Sequence, residues 1–124
     1  MRTPQPMARS TRLTRVRLGR RAELVAVALL RLFGYRILAR RHKNPFGEID
    51  IIAARRGRVA FVEVKARSTF EDCEAAIRPS LGPRVRRAAS LWLQRNPRYQ
   101  HHRQGYDVIF VVPWRPPRHI PDGL

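Results

Sequence analysis

The chain has 124 residues, of which 26 are lysine or arginine and 9 are aspartate or glutamate, so its formal net charge is +17. This length predicts one domain with a core of useful size and excludes a multidomain enzyme. A hydrophobic share of 44% is ordinary for a folded chain, which excludes a collagen and a wholly disordered protein.

The single cysteine indicates the cellular compartment, and the large positive charge indicates the class of binding partner. Cys73 alone excludes an internal disulfide and a cysteine-based metal site, and it favours a reducing, cytoplasmic compartment. A surface this basic favours an anionic partner, first nucleic acid and second an anionic membrane surface. The longest strongly apolar stretch, Leu24 to Leu30, is far too short to span a bilayer. We therefore expect nucleic acid as the partner and no membrane.

The first 18 residues differ in composition from the rest of the chain. They are rich in arginine, contain two prolines and precede the first acidic residue, Glu23. This pattern predicts a disordered basic arm, which is either a solvated tail or a nucleic-acid-binding arm. Its arginine-rich, acid-free composition is also shared by mitochondrial transit peptides, so that alternative stays open.

The first half of the folded region predicts one helix and three strands. A nearly continuous apolar run that ends at Gly34 indicates a buried helix, and alternating residues after it indicate a strand. A tight link containing Gly57 joins the next two strands as a hairpin. The predicted bounds are helix Ala22–Phe33 and strands Tyr35–Arg41, Glu48–Ala54 and Val59–Ala66.

The second half predicts another helix and another strand. Residues 68–83 are interpreted as irregular, and Pro83 fits the first turn of a helix over about residues 84–95, with Trp92 in the core. A β-branched run over 106–112 indicates a buried strand, followed by an extended, proline-rich tail. The order predicts an α/β fold, in which helices flank a mixed β-sheet of about four or five strands.

Five of the nine acidic residues fall inside predicted helices or strands among apolar neighbours. A buried carboxylate is costly unless it is paired, hydrogen-bonded or metal-bound, so each of the five is a candidate for a role. Asp107 is interpreted as either a hydrogen-bonding residue of the sheet or an outer residue of a site. The five are Glu23, Glu48, Asp50, Glu63 and Asp107.

The hairpin register brings some of these acids together. If the turn is centred between Arg56 and Gly57, opposed residues have numbers that sum to about 113, so Asp50 faces Glu63 and Glu48 faces Lys65. These four side chains then share one face, while Ile49, Ile51, Val62 and Val64 point to the other. Opposed carboxylates destabilise a bare sheet, and a few carboxylates with retained waters suit Mg²⁺. Partial neutralisation by Lys65 alone is the structural alternative.

The residues around this hairpin resemble a known family. Asp50 followed by Glu63-Val64-Lys65 resembles the D…(D/E)-x-K core of restriction-endonuclease-like nucleases, the PD-(D/E)XK superfamily. More specifically, Gly47-Glu48-Ile49-Asp50-Ile51-Ile52-Ala53 and Phe61-Val62-Glu63-Val64-Lys65-Ala66-Arg67 resemble two segments of the YraN-like family of small bacterial proteins. The resemblance covers roughly residues 19–115.

The resemblance implies roles for individual residues. Asp50 and Glu63 would be ligands of Mg²⁺ or Mn²⁺, and Lys65 would orient the attacking water and stabilise charge on the phosphate. Glu23 would reach the same site from the first helix, as helix carboxylates do in junction-resolving relatives, whereas Glu48 is either a ligand or a structural partner. Where the family has a basic or amide residue at the start of the second long helix, Arg84 or Arg87 would contact nucleic acid.

Together, the residues and the resemblance divide the chain into a basic arm over residues 1–18, an endonuclease-like domain over 19–115 and a proline-rich tail over 116–124. They predict a metal-dependent nuclease that hydrolyses phosphodiesters. The first alternative is a nucleic-acid-binding protein of the same fold with little or no catalysis, and the second is an interaction protein whose charge serves solubility or membrane-surface contact. The nucleic acid, DNA or RNA, stays open, as does a homodimer of the kind that junction resolvases of similar fold form.

Overall fold

Five strands form one mixed sheet in the order β1-β2-β3-β4-β5. The computed structural model describes the backbone of residues 5–124 and the side chains of residues 19–124. Strands β1 to β3 form an antiparallel meander, β4 runs parallel to β3, and β5 returns antiparallel to β4. The elements are α1 Gln5–Leu32, β1 Arg36–Asn44, β2 Gly47–Arg55, β3 Arg58–Ala66, α2 Phe70–Ala75, α3 Leu81–Arg95, a short 3₁₀ helix Pro97–Tyr99, β4 Arg103–Val111 and β5 Arg118–Ile120. The predicted α/β fold with helices on a mixed sheet is confirmed.

Helices cover both faces of the sheet, and each covers its own hydrophobic core. On one face, Ala26, Val27 and Leu30 of α1 pack against alternate residues of β2 and β3. On the other face, α3 packs Trp92 edge-on against Phe61, with ring centroids 5.8 Å apart. Because both faces are buried, the central strands are apolar in consecutive positions, and this explains the unbroken apolar runs in their sequence.

Two helices differ clearly from the prediction. Helix α1 begins at Gln5, well before the predicted Ala22. The disordered arm predicted over residues 1–18 overlaps this helix, so the backbone of residues 5–18 is helical rather than disordered, and residues 1–4 lie outside the described residues. The stretch interpreted as irregular contains α2, which Thr69 caps by accepting a hydrogen bond from the Asp72 N–H, 3.0 Å away.

The proline-rich tail contributes a strand that the sequence did not indicate. Residues Arg118–Ile120 form β5 and pair with β4 at Val108–Phe110. A three-residue strand is too short to show a period of two, so only its partner strand reveals it. The tail is therefore part of the sheet.

Within the part of the chain that the structure describes, no helix combines the length and apolar character needed to cross a bilayer.

Candidate functional site

The hairpin of β2 and β3 opens at the position of Asp50. Backbone pairing follows the predicted sum of 113 from Arg55–Arg58 up to Ile51–Val62, where it ends. Beyond that point, the Val64 N–H donates to Asp50 Oδ2 over 2.8 Å. A carboxylate oxygen thus accepts the hydrogen bond that a backbone carbonyl of β2 would accept if the strands stayed paired. This bond fixes the Asp50 side chain at the mouth of the hairpin.

Because the two strands separate there, the outer part of the predicted register is wrong. Glu48 does not face Lys65; it lies opposite Lys43 on β1, and it is exposed rather than buried. Ile49 joins the core under α3, whereas Ile51 and Val62 join the core under α1, so the predicted common face of these residues is split.

The carboxyl groups of Asp50 and Glu63 are close enough to share a hydrogen bond. Burial, and then the charge of Asp50, raises the pKa of Glu63 to about 7. Burial also raises the pKa of Asp50, a rise that Glu48 reinforces and that the hydrogen bond from Val64 opposes. Both carboxyl groups are therefore costly to ionise together, and a cation between them would reverse that cost.

Lys65 supplies one positive charge to this pair. Its Nζ lies 3.4 Å from Glu63 Oε1, and its side chain retains 20% of its exposure. The charge of Lys65 favours ionisation of Glu63, but burial and Asp50 outweigh it, and the pKa stays raised. One lysine does not balance two carboxylates, so the pair keeps a net negative charge when both groups ionise.

Glu23 approaches the same place from α1. It lines a cavity of about 330 Å³ together with Asp50 and Glu63. Its carboxylate is held by two arginines that the sequence analysis did not single out: Arg40 Nε lies 3.1 Å from Oε1 and Arg41 Nε lies 3.0 Å from Oε2. Glu23 therefore enters the site with its charge already compensated.

Among the side chains described, those of residues 19–124, no three histidine, cysteine or acidic residues form a group that could hold a metal ion. The set that fits a cation is the Asp50–Glu63 pair. Two adjacent oxygen-bearing groups of raised pKa suit a hard cation such as Mg²⁺, which keeps several waters and needs only one or two carboxylates. The described geometry thus fits a divalent cation on this pair and does not include Glu23 as a free ligand.

Comparison with known proteins identifies the family. The profile described as "Uncharacterised protein family UPF0102" matches residues 22–111. The chain belongs to this family. A UPF0102 protein of Rhodopseudomonas palustris strain BisA53 is 43% identical over 117 residues, covering 94% of this chain and 90% of the relative. One from Rhizobium meliloti strain 1021 is 46% identical over 106 residues, covering 86% of this chain and 87% of the relative.

The predicted nucleic-acid contacts of this UPF0102 chain separate in the structure. Arg84 lies in the first turn of α3 and lines a cavity that Lys65 also lines. Arg87 is exposed on α3 and lines none of the cavities described. Arg67 and Arg78, which the sequence analysis did not select, line the cavity with Arg84. Arg67 could have been selected from the sequence, because it follows Lys65 by two residues. Arg78 could not, because it lies in a connection without periodicity.

Asp107, for which two roles were open, is a structural residue. It is fully buried, and Arg58 donates two hydrogen bonds to it, 2.8 and 2.7 Å long. His119 Nε2 on β5 and the Asp122 N–H add contacts of 2.8 and 2.9 Å. Burial opposes ionisation, but these bonds outweigh it and lower the pKa of Asp107 to about 2. Through its contact with Asp107, His119 binds the tail to the sheet.

Proposed function

We propose that this chain is a metal-dependent nuclease of the PD-(D/E)XK superfamily, which hydrolyses phosphodiester bonds of nucleic acid. The observation that carries the proposal is the adjacency of the Asp50 and Glu63 carboxyl groups at the mouth of an opened hairpin, with Lys65 Nζ 3.4 Å from Glu63. Placing a second carboxylate beside the first raises the pKa of one of them, here Glu63, and contributes no stability to the metal-free fold. Such an arrangement is typical of a functional site.

Asp50 and Glu63 would hold Mg²⁺ or Mn²⁺, which lowers the pKa of a bound water and polarises a phosphoryl oxygen. Val64 keeps the Asp50 carboxylate in place through its N–H. The Lys65 ammonium group lies where it can neutralise charge that develops on a phosphate above the pair. Glu23, bound by Arg40 and Arg41, would shape the rim of the site and orient water from the α1 side.

The net charge supports a nucleic-acid substrate. A chain of charge +17 attracts a polyanion over the length of its surface. The substrate can therefore approach two carboxylates that would otherwise repel it. Binding of this kind falls steeply as salt concentration rises, because each neutralised phosphate releases counterions.

A second candidate function is nucleic-acid binding without catalysis. The observation that favours it is the pairing of Glu23 with Arg40 and Arg41, which leaves only two of the three predicted carboxylates for a cation. In that case, the Asp50–Glu63 pair would share one proton near neutral pH instead of binding a metal.

A cleavage panel distinguishes the two functions. Single-stranded, double-stranded, flapped and branched DNA and RNA are incubated with the protein in Mg²⁺, in Mn²⁺ and in EDTA. We expect cleavage only with a divalent ion, and a loss of at least about a thousandfold in Asp50→Asn and in Glu63→Gln, as expected for a lost metal ligand.

Glu71→Gln is the matched control, because Glu71 is an exposed acid on α2. It should cleave like the wild type. A melting experiment adds a second test, since an ion that binds only the folded protein raises the melting temperature. The absence of cleavage on every substrate, together with no shift in melting temperature by either ion, would favour the binding protein.

A further inference from the structure

A basic cavity adjoins the carboxylate pair. It has a volume of about 540 Å³ and lies between the end of β3, α2 and the start of α3. Its charged side chains are four cations and one acid, a net of three positive charges. They are Lys65, Arg67, Arg78, Arg84 and Asp72.

The arginines of this cavity have their positive charge unbalanced by acidic side chains. Among the described residues, no acidic side chain forms an ion pair with Arg67, Arg78 or Arg84. Elsewhere in the fold, arginines do pair with buried acids: Arg40 and Arg41 pair with Glu23, and Arg58 pairs with Asp107. With only nine acids in the chain, the cavity concentrates positive charge that the protein itself leaves unbalanced.

Backbone features hold two of these side chains at the cavity. Gly47 has no side chain, and the Arg84 stem occupies the space there, since a Cβ on Gly47 would come within 3.0 Å of Arg84 Cγ. Arg67 Nη1 donates to the Ala66 carbonyl oxygen over 2.7 Å at the end of β3. These contacts hold both side chains at the rim of the cavity that Lys65 also lines.

We propose that this cavity is a phosphate subsite, which holds a second phosphate of the strand whose scissile phosphate lies at Asp50 and Glu63. The inference rests on the proposed function. Arginine forks bind phosphate oxygens with two parallel hydrogen bonds, and three of the four cations here are arginines. Lys65 contributes to both the carboxylate pair and the cavity, because its Nζ is 3.4 Å from Glu63 Oε1 and its side chain lines the cavity. The two sites therefore adjoin, as neighbouring phosphates of one strand do.

The phosphate could be an internal phosphodiester or a phosphate at the end of a strand, and a binding experiment distinguishes them. Fluorescence anisotropy in EDTA measures the affinity of one single-stranded oligonucleotide with a 5′-phosphate, a 3′-phosphate or hydroxyl ends. The protein is the full chain, as wild type and as the cavity variant Arg67→Gln/Arg78→Gln/Arg84→Gln. The control variant Arg31→Gln/Arg56→Gln/Arg95→Gln removes the same charge from exposed residues outside the cavity.

We expect the cavity variant to bind at least tenfold more weakly than the control variant. An equal loss for all three ends identifies an internal phosphate. A gain from one terminal phosphate in the wild type, absent in the cavity variant, identifies a strand end. Equal affinities of the two variants for every oligonucleotide would overturn the subsite.

Two further measurements keep the outcomes separate. If the cavity variant does not fold, as judged by circular dichroism, Arg78→Gln replaces it, because Arg78 is exposed in the connection before α3 and its side chain makes no described hydrogen bond or ion pair. Cleavage of the hydroxyl-ended strand by the wild type tests the proposed function alone. Cleavage with equal affinities of the two variants refutes only the subsite, whereas a specific loss of affinity without any cleavage refutes only the nuclease.

Discussion

Two buried carboxylates on neighbouring strands have opposite electrostatic surroundings. Asp107 on β4 pairs in register with Val62, and Glu63 is the next residue on β3. Asp107 is fully buried, accepts four hydrogen bonds or ionic contacts and has a pKa of about 2. Glu63 keeps 13% of its side-chain exposure, has one cation at 3.4 Å and has a pKa of about 7.

The two residues show where charge stabilises this fold and where it does not. The same sheet supplies complete partners to one carboxylate and places the other beside a second carboxylate. Burial acts on both residues, so the contrast comes from their partners alone. Asp107 stabilises the ionised protein, whereas Glu63 weakens the metal-free protein at neutral pH. The following predictions test this contrast.

The largest expected effect is on Asp107. Replacing it in Asp107→Asn leaves the Arg58 guanidinium group partly buried without its charged partner, which should lower the free energy of unfolding by about 3 to 5 kcal/mol. Chemical denaturation measures the change. Asp122→Asn is the control, because Asp122 is 67% exposed and lies 3.7 Å from the same arginine. Similar losses in both variants would show that the close pairing of Asp107 with Arg58 contributes no more stability than the distant contact of Asp122.

Glu63→Gln should have the opposite sign. The pKa of Glu63 is raised from 4.5 to about 7 in the folded protein, so the unfolded chain loses that proton first as pH rises. Stability of the metal-free wild type therefore falls between about pH 4.5 and 7. In EDTA at pH 8, the variant should be more stable by up to about 3 kcal/mol, and the advantage should shrink towards pH 4.5. A variant that unfolds more easily at pH 8 would mean that the carboxylate pair is a stabilising network.

The acid side of the stability curve tests Asp107 without a mutation. Its pKa lies below the ordinary 3.8, so its contribution is fully present above that pH and is lost as pH falls through about 2. The expected loss is roughly 2 kcal/mol. A carbon-13 NMR titration of the side-chain carboxyl group measures the pKa directly, and a midpoint near 3.8 would contradict the described network.

The smallest effect is expected for Lys65→Met. This change removes the cation that pairs with Glu63 and should destabilise the metal-free protein by about 1 kcal/mol, the usual contribution of a partly exposed ion pair. Lys43→Met, at the only other lysine, is the matched control on the exposed β1 strand. If Lys65 acts only structurally, its variant should still cleave the best substrate of the panel at the wild-type rate.

The fold class, the hairpin register from Arg55–Arg58 to Ile51–Val62 and the adjacency of Asp50 and Glu63 could all be predicted from the sequence. These features depend on local signals: unbroken apolar runs in strands buried on both faces, a short turn containing Gly57 and a period of two along each strand. The same local signals failed for Glu48, because the strands separate after Ile51 and the register no longer applies.

Which charged side chains form ion pairs depends on the tertiary structure. Glu23 binds arginines 17 and 18 residues away, and Asp107 binds Arg58 across 49 residues. Strand β5 exists because β4 offers a free edge, and the basic cavity forms where the end of β3, α2 and the start of α3 converge. No periodic pattern in the sequence predicts these contacts, because they depend on how distant segments pack. Charge compensation is therefore a property of the packed chain, and in this protein it separates the structural carboxylate from the candidate functional ones.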